Sequence, residues 1–196
     1  MFESNIMRSY ARDRTMIHYA AGVLPVTWHK GRALFLIGKD IRDGSYSDQG
    51  GKVDRGDRDK IGTACREFYE ETYGLLIDVK QLRARITPKT AIMLQGTTQG
   101  GSAYYMYVTQ VPYIPHLRST VRKLLGFLRS KNLHRMYVEK IDTQWVTLEM
   151  MKNICKRPVF ANTIETHMDT LEEIARSPPS SWRAICAARA SQFDAT

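Results

Sequence analysis

Short runs of strand-forming residues alternate with longer helical repeats along this chain. Two apolar runs, at 20–28 and 32–40, are separated by His29, Lys30 and Gly31, and this pattern predicts a β-hairpin. Further runs with strand character lie at 77–87, 91–96 and 103–111. A glycine-rich turn joins the last two runs, which therefore predict a second hairpin.

Apolar residues at helical spacing mark the segments between and after these strands. They lie at 59–75, at 115–136 and at 160–174. A tail at 177–196 begins with a serine and two prolines, which end the preceding helix because proline lacks an amide donor. Trp182, Ile185 and Cys186 are expected to dock this tail on the domain or on a second subunit. The alternation of periods predicts an α/β fold with a mixed sheet between helices.

Length and composition are those of an ordinary globular protein. A chain of 196 residues is long enough for one domain, spanning 1–196, with a substantial core. No apolar run approaches the roughly 20 residues that cross a bilayer, and the first residues lack the apolar core of a signal peptide. Stable membrane insertion is therefore not expected. The three cysteines form no complete disulfide framework and indicate a reducing interior such as the cytoplasm.

Positive charge is concentrated in one helical segment. Lysine and arginine number 29 against 20 acidic residues, which gives a formal net charge of +9. The segment 116–135 contains no acidic residue and carries the cations Arg118, Arg122, Lys123, Arg129, Lys131 and Arg135. A cationic helix of this kind suits a polyanion such as RNA. A solvated helix and membrane-surface binding are the alternative interpretations.

The candidate chemistry lies in 50–75, where a glycine-rich turn precedes a helix. Glu67, Glu70 and Glu71 have spacings that place them on one helix face. Because like charges this close repel, the cluster is offset by neighbouring cations or holds a hard divalent metal ion. Arg66 and Lys52 are cations that could anchor carboxylates or phosphate oxygens. A solvated acidic helix face is the alternative.

This stretch resembles the Nudix box, in which a glycine precedes a helix that carries Arg-Glu, an apolar residue and Glu-Glu. The matching positions are Gly51, Arg66, Glu67, Phe68, Glu70 and Glu71. Asp57 stands in place of the first glutamate of the box, one residue farther from Arg66 than in the family. Thr72 and Tyr73 put one extra residue before the final Gly74. Neither departure touches the three helix glutamates.

The resemblance implies a Nudix-type α/β/α sandwich with a loop–helix catalytic motif and a metal-dependent enzyme. The superfamily hydrolyses a diphosphate linkage in a nucleoside diphosphate joined to another group, using Mg²⁺ or Mn²⁺. The implied catalytic residues are Arg66, which would orient a carboxylate, and the metal ligands Glu67, Glu70 and Glu71. The chain is also similar to the mRNA-decapping Nudix enzymes of large DNA viruses, which carry a glutamate six positions before the residue corresponding to Trp145. Glu139 occupies that place and is the candidate fourth ligand or general base.

The expected substrate is a nucleotide, and the basic helix 116–135 and the resemblance around Glu139 favour capped RNA. Candidate substrate-binding residues are Lys52, Arg42, Tyr105, Arg122, Lys123 and Arg129. The alternatives are small nucleotides, such as nucleoside triphosphates, dinucleoside polyphosphates and nucleotide sugars, or diphosphoinositol polyphosphates. A polyanion-binding module without turnover is a further alternative. A homodimer and a cytoplasmic location, in a host cell if the chain is viral, complete these expectations.

Overall fold

The strands and helices follow the order predicted from the periodicity, with two exceptions described below. The computed structural model describes residues 18–132 and 138–193. The strands are β1 (Tyr19–His29), β2 (Arg32–Asp40), β3 (Tyr46–Ser47), β4 (Gln49–Lys52), β5 (Ala91–Thr97), β6 (Ala103–Gln110) and β7 (Lys140–Val146). The α-helices are α1 (Lys60–Glu71), α2 (Val79–Arg85), α3 (Leu117–Ser130), α4 (Leu148–Asn153), α5 (Pro158–Thr166), α6 (Met168–Arg176) and α7 (Trp182–Ala187).

The strands form one mixed sheet in the order β3-β2-β1-β6-β5. β4 pairs with the first half of β1, and β7 pairs with β2. The pairing of β1 with β6 is parallel, whereas β1 with β2 and β5 with β6 are antiparallel. Both predicted hairpins are therefore confirmed.

Side chains alternate between the two faces of the sheet, as strand geometry requires. Leu24 and Val26 of β1 point into a core that includes α4, α5, α6 and α7. Ala21 and Val23 of the same strand point to the opposite face, where α1 and α2 pack. Because both faces are covered by helices, the predicted α/β/α sandwich with a mixed sheet is confirmed.

A third apolar cluster holds α3 against the sheet. Val121 and Leu125 of α3 pack with Leu36 of β2, and the helix also contacts β7. The apolar stripe predicted for the basic segment therefore faces the sheet, which leaves the cationic side chains at the surface. Residues 133–136 of the predicted insert, with Arg135 among them, lie outside the described residues.

Two predicted elements differ from the structure. The segment 77–87 was predicted as a strand, which is wrong, because most of it forms helix α2. Asp78 caps this helix by accepting a hydrogen bond from the backbone nitrogen of Gln81 at 2.9 Å, and Leu82 buries its side chain below it. The repeat at 160–174 forms two helices rather than one, since α5 and α6 meet at His167.

The tail docks on its own chain. Trp182, Ile185 and Cys186 are buried in the core that includes α5 and α6. The indole nitrogen of Trp182 donates a hydrogen bond to the carbonyl of Thr90 at 3.2 Å. Residues 194–196 of the predicted tail lie outside the described part of the chain. Within the described part, no helix has the length and apolar character needed to cross a membrane.

Candidate active site

Helix α1 begins at a cap that also ties it to α2. The Asp59 carboxylate accepts a hydrogen bond from the backbone nitrogen of Gly62 at 2.7 Å, which satisfies one of the free amides at the helix start. Arg83 of α2 donates to the same carboxylate at 2.9 Å. Asp59 is thus the N-cap of α1. Phe68, fully buried against the sheet, fixes which side of α1 faces inward.

Glu67 faces β4 at a point where the strand backbone carries no side chain. A Cβ atom on Gly51 would lie 2.5 Å from the carboxyl carbon of Glu67, so a larger residue would displace the carboxylate. Glu67 is buried, and Arg66 forms an ion pair with it at 2.9 Å. The first glycine of the motif is therefore needed for the close approach of the loop and the helix.

Glu71 is held by a backbone amide and by a buried lysine. Its Oε2 atom accepts a hydrogen bond from the backbone nitrogen of Gly50 at 2.8 Å. Its Oε1 atom lies 3.3 Å from the Nζ atom of Lys140, which reaches across from β7 and has no exposed side-chain surface. Lys140 also donates a hydrogen bond to the Ser47 hydroxyl at 2.6 Å. Both carboxylate oxygens of Glu71 therefore have partners within the protein.

Arg66 joins the loop to the helix. Its guanidinium donates two hydrogen bonds of 3.0 Å to Asp57 and one of 2.9 Å to the carbonyl of Lys52. The same group donates to Glu70 at 3.1 Å, one turn farther along α1. Asp57, which replaces the first glutamate of the motif, thus helps to fix the position of the Arg66 guanidinium. Glu70 lies toward solvent, with 55% of its side chain exposed.

A third glutamate from the start of β7 meets the two buried ones. One oxygen from each of Glu67, Glu71 and Glu139 lies within 4.8 Å of the others. Glu139 is exposed, whereas Glu67 and Glu71 are buried. Three carboxylate oxygens at this spacing fit a hard divalent cation, which prefers oxygen ligands. Glu70 is outside this group of three.

Burial makes the negative charge of this cluster unfavourable. It raises the pKa of Glu67 to about 7, although Arg66 acts in the opposite direction. It raises the pKa of Glu71 to about 8, against the attraction of Lys140. Nearby carboxylates add to both increases. A divalent cation would stabilise the ionised form of both groups and release their protons.

A cavity of about 660 Å³ opens on the other side of β4. Gly50, Gly51 and Lys52 form part of its wall, and the turn between β5 and β6 and the start of α5 form other parts. Asp48 and Tyr104 also line it, and the Tyr104 hydroxyl donates a hydrogen bond to the Asp48 carboxylate. Burial raises the pKa of Asp48 to about 6. The backbone of β4 thus separates a cavity of nucleoside size from the acidic cluster.

The candidate substrate residues occupy three different places. Lys52 lines the cavity. Arg42 is paired with Asp40 at 2.7 Å and is not among the residues that line the cavity. Tyr105 is buried on the opposite face of the sheet, where the Nζ atom of Lys60 lies 4.1 Å from its ring centre.

The basic helix presents its cations in two groups. Arg118 and Arg122, near its start, both pair with Asp142 of β7. Lys123 and Arg129 are exposed farther along α3. The first group is therefore partly neutralised within the protein.

The sequence singled out neither Lys140 nor Asp142 for a role in the site, whereas Gly50 belongs to the predicted glycine-rich turn. Lys140 carries no local signal, because its partners Ser47 and Glu71 are distant in sequence and are brought to it by the pairing of β2 with β7.

Substitution of Gly51 by alanine tests the close approach of the loop and Glu67. We expect Gly51→Ala to weaken Mn²⁺ binding by about 10- to 100-fold, because the new methyl group moves the carboxylate. The melting temperature of the metal-free protein should change little, since the Glu67 side chain can rotate away. Gly56→Ala in the same loop is the matched control, because a Cβ atom there has no neighbour within 4 Å. Equal Mn²⁺ affinity of the two variants in calorimetry would contradict the assignment.

Metal-free protein should lose stability as the pH rises from about 5 to about 8. The pKa of Glu71 is about 8 in the folded protein and 4.5 ordinarily, so the folded state retains a proton that the unfolded state releases. The free energy of unfolding falls in this window by at most about 1.4 kcal/mol per pH unit for each such group. Denaturant titrations in EDTA should give a shallower pH dependence for Glu71→Gln. Identical slopes would show that Glu71 ionises normally.

No family model and no curated protein sequence matches this chain. Among solved structures, it resembles the NUDIX domain of Shewanella oneidensis NrtR complexed with ADP ribose, at 13% identity over 80% of this chain and 87% of that chain, with a TM-score of 0.48. It also resembles a C. elegans Ap4A hydrolase in a binary complex, at 17% identity over 78% of this chain and 98% of that chain, with a TM-score of 0.48. A NUDIX hydrolase from Nitrosomonas europaea matches at 11% identity over 83% and 74%, with a TM-score of 0.47.

These likenesses are distant. The motif predicted a glycine-rich loop packed against an acidic helix, and Gly51 and Glu67 meet in that way. The loop and helix lie on a mixed sheet that has helices on both faces. With these features the chain has an α/β/α fold that carries the predicted loop–helix motif.

Proposed function

We propose that residues 1–196 form one Nudix hydrolase domain that cleaves a diphosphate linkage in a nucleoside diphosphate joined to another group. The observation that carries this proposal is the meeting of Glu67, Glu71 and Glu139 beside β4, whose backbone also borders the 660 Å³ cavity. A cluster able to hold a divalent ion and a cavity able to accept a nucleoside thus share one wall. This arrangement suits a nucleotide whose phosphates extend from the cavity to the carboxylates.

Mg²⁺ or Mn²⁺ is the proposed cofactor, because both ions take oxygen ligands. Glu67, Glu71 and Glu139 would hold the ion, and Glu70, bound by Arg66 on the exposed side, is the remaining candidate ligand. When bound, the ion neutralises negative charge on the phosphate oxygens.

Glu139 is the proposed general base. It is exposed, unlike Glu67 and Glu71, so water and substrate can reach its carboxylate. It would accept a proton from the attacking water as the water oxygen bonds to phosphorus and the bond from that phosphorus to the bridging oxygen breaks, so that the bridging oxygen leaves with the second phosphate. Arg66 holds Glu67 in place through its ion pair. Lys52, at the cavity wall, offers its ammonium group to a phosphate oxygen.

Capped RNA is the proposed substrate, because exposed positive charge runs along α3. Arg118 and Arg122 lie near the start of the helix, where Asp142 pairs with both. Farther along the helix, other exposed side chains suit single-stranded RNA: Lys123, Phe127 and Arg129. Basic groups would contact phosphates, and the aromatic ring could stack on a base.

A cytoplasmic location belongs to the same proposal. Cys65, Cys155 and Cys186 are all free thiols, as is usual in reducing compartments. Capped RNA would be encountered there. A homodimer stays a prediction.

A hydrolysis screen with capped RNA, small nucleotides and diphosphoinositol phosphates tests the reaction. Activity should require Mg²⁺ or Mn²⁺ and should fall about 100-fold or more in Glu71→Gln and Glu139→Gln, since neutral amides neither hold the ion nor accept the proton. In Glu139→Gln the loss should lie in kcat rather than in KM. The activity of Glu70→Gln shows how much the exposed glutamate contributes to the reaction. Glu165→Gln, at an exposed position on α5, is the control. Wild-type turnover in EDTA would exclude the proposal.

The salt dependence of RNA binding tests the role of α3. The triple variant Arg122→Gln, Lys123→Gln and Arg129→Gln should bind capped RNA more weakly and with a flatter salt dependence. Each lost phosphate contact removes about 0.7 from the log–log slope. Hydrolysis of a free cap dinucleotide should be nearly unchanged, because a short ligand reaches few of these side chains.

A matched variant separates local contacts from net charge. Lys80→Gln, Lys89→Gln and Arg183→Gln remove three exposed cations elsewhere on the surface. This variant should retain the wild-type salt slope for capped RNA. If both triple variants behave alike, or if RNA and dinucleotide lose activity equally, α3 is a solvated helix and a small nucleotide is the better substrate.

A further inference from the structure

Lys140 is a fully buried lysine in direct contact with the acidic cluster. Its side chain has no exposed surface, and its Nζ atom lies 2.6 Å from the Ser47 hydroxyl and 3.3 Å from Oε1 of Glu71. The aliphatic part of the chain crosses Gly38 of β2, where a Cβ atom would lie 2.9 Å from Cδ of Lys140. The missing side chain of Gly38 therefore leaves space for the Lys140 side chain, whose Nζ atom reaches the Glu71 carboxylate.

Burial of an ammonium group is costly unless a charge of opposite sign accompanies it. The partners of the Nζ atom among the described residues are a neutral hydroxyl and the Glu71 carboxylate. Glu71 itself is 3% exposed, and its other oxygen accepts the hydrogen bond from Gly50. The pair is thus enclosed, and the ammonium group of Lys140 favours the ionised form of Glu71 against the effect of burial.

The charges around the three glutamates are unevenly distributed. Glu67 is paired with Arg66, whose side chain is 27% exposed and also contacts Asp57 and Glu70. Glu71 is paired with Lys140, which is shielded from solvent. Glu139 is exposed. One positive charge is therefore fixed inside the cluster before any metal ion binds.

We infer that Lys140 is a positioning residue that acts as the permanent counter-cation of Glu71, so that the cluster takes up one divalent ion rather than two. This inference rests on the proposed function, because it concerns the metal site of that reaction. The ammonium group supplies the positive charge that a second divalent ion would bring. Together with the Gly50 amide it also fixes the orientation of the Glu71 carboxylate.

Counting bound Mn²⁺ in the absence of substrate tests the inference. Electron paramagnetic resonance of free Mn²⁺ should give one bound ion for the wild-type protein. Lys140→Met should bind two ions, the first about tenfold or more tighter than wild type, because the unpaired buried carboxylate attracts cations more strongly. The rise in melting temperature on adding Mn²⁺ should be larger for this variant than for wild type.

Lys156→Met is the matched control for the loss of a structural lysine. The Nζ atom of Lys156 donates hydrogen bonds to the carbonyls of Met151, Lys152 and Ile154 and does not contact the cluster. This variant should melt at a lower temperature but bind one Mn²⁺ ion with wild-type affinity. The double variant Lys140→Met, Glu71→Gln should bind no second ion and should hold the first no more tightly than Glu71→Gln alone, because the effect of Lys140 passes through Glu71.

The outcomes separate this inference from the proposed reaction. One ion of equal affinity in wild type and Lys140→Met would overturn the inference and make Lys140 a structural residue only. Two ions in wild type would overturn it as well, whereas no bound ion in wild type would overturn the proposed metal site itself. If Lys140→Met does not fold, Gly38→Ala serves instead, since it displaces the lysine without removing it. It should likewise tighten Mn²⁺ binding, and unchanged binding would overturn the inference.

Discussion

The close packing of two buried carboxylates against the backbone of β4 is the constraint on which the rest of the site depends. Glu67 can approach the strand because Gly51 carries no side chain, and Glu71 accepts a hydrogen bond from the backbone nitrogen of Gly50. Their burial is electrostatically unfavourable, and the surrounding structure offsets it with an arginine, a lysine and a backbone amide. These contacts connect the loop and β7 to the helix, because the Gly50 amide and Lys140 both bind Glu71.

The spacing of the three motif glutamates predicted their common helix face but not their separate environments. A helix of α1's diameter touches the strand with only part of that face, so Glu67 and Glu71 are enclosed while Glu70 remains at the rim. The third member of the close cluster, Glu139, comes from the start of β7. Its candidate role came from a resemblance, and the pairing of β2 with β7 brings it to the other two.

Local signals in the sequence were sufficient for much of the fold. The turn at 29–31, the glycine-rich turn before β6 and the apolar stripe of α3 each depend on neighbours in sequence, and the corresponding elements formed as predicted. Helix α2 was missed because the β-branched residues Ile77, Val79 and Ile86 suggested a strand, although Asp78 caps the segment and the residues from Lys80 to Arg85 favour a helix. Lys140 and the cavity were missed for a different reason. Both are assembled from segments distant in the chain, and only the sheet pairing decides which of them meet.

The position of β4 between cavity and carboxylates separates two kinds of evolutionary change. The turn between β5 and β6 and the start of α5 form one part of the cavity wall, on the face of the sheet opposite to α1. Residues there can vary in size and polarity without contact with Glu67 or Glu71. A lineage carrying this fold could therefore acquire a new ligand preference through changes in a surface turn, while the residues that hold the charge stay fixed.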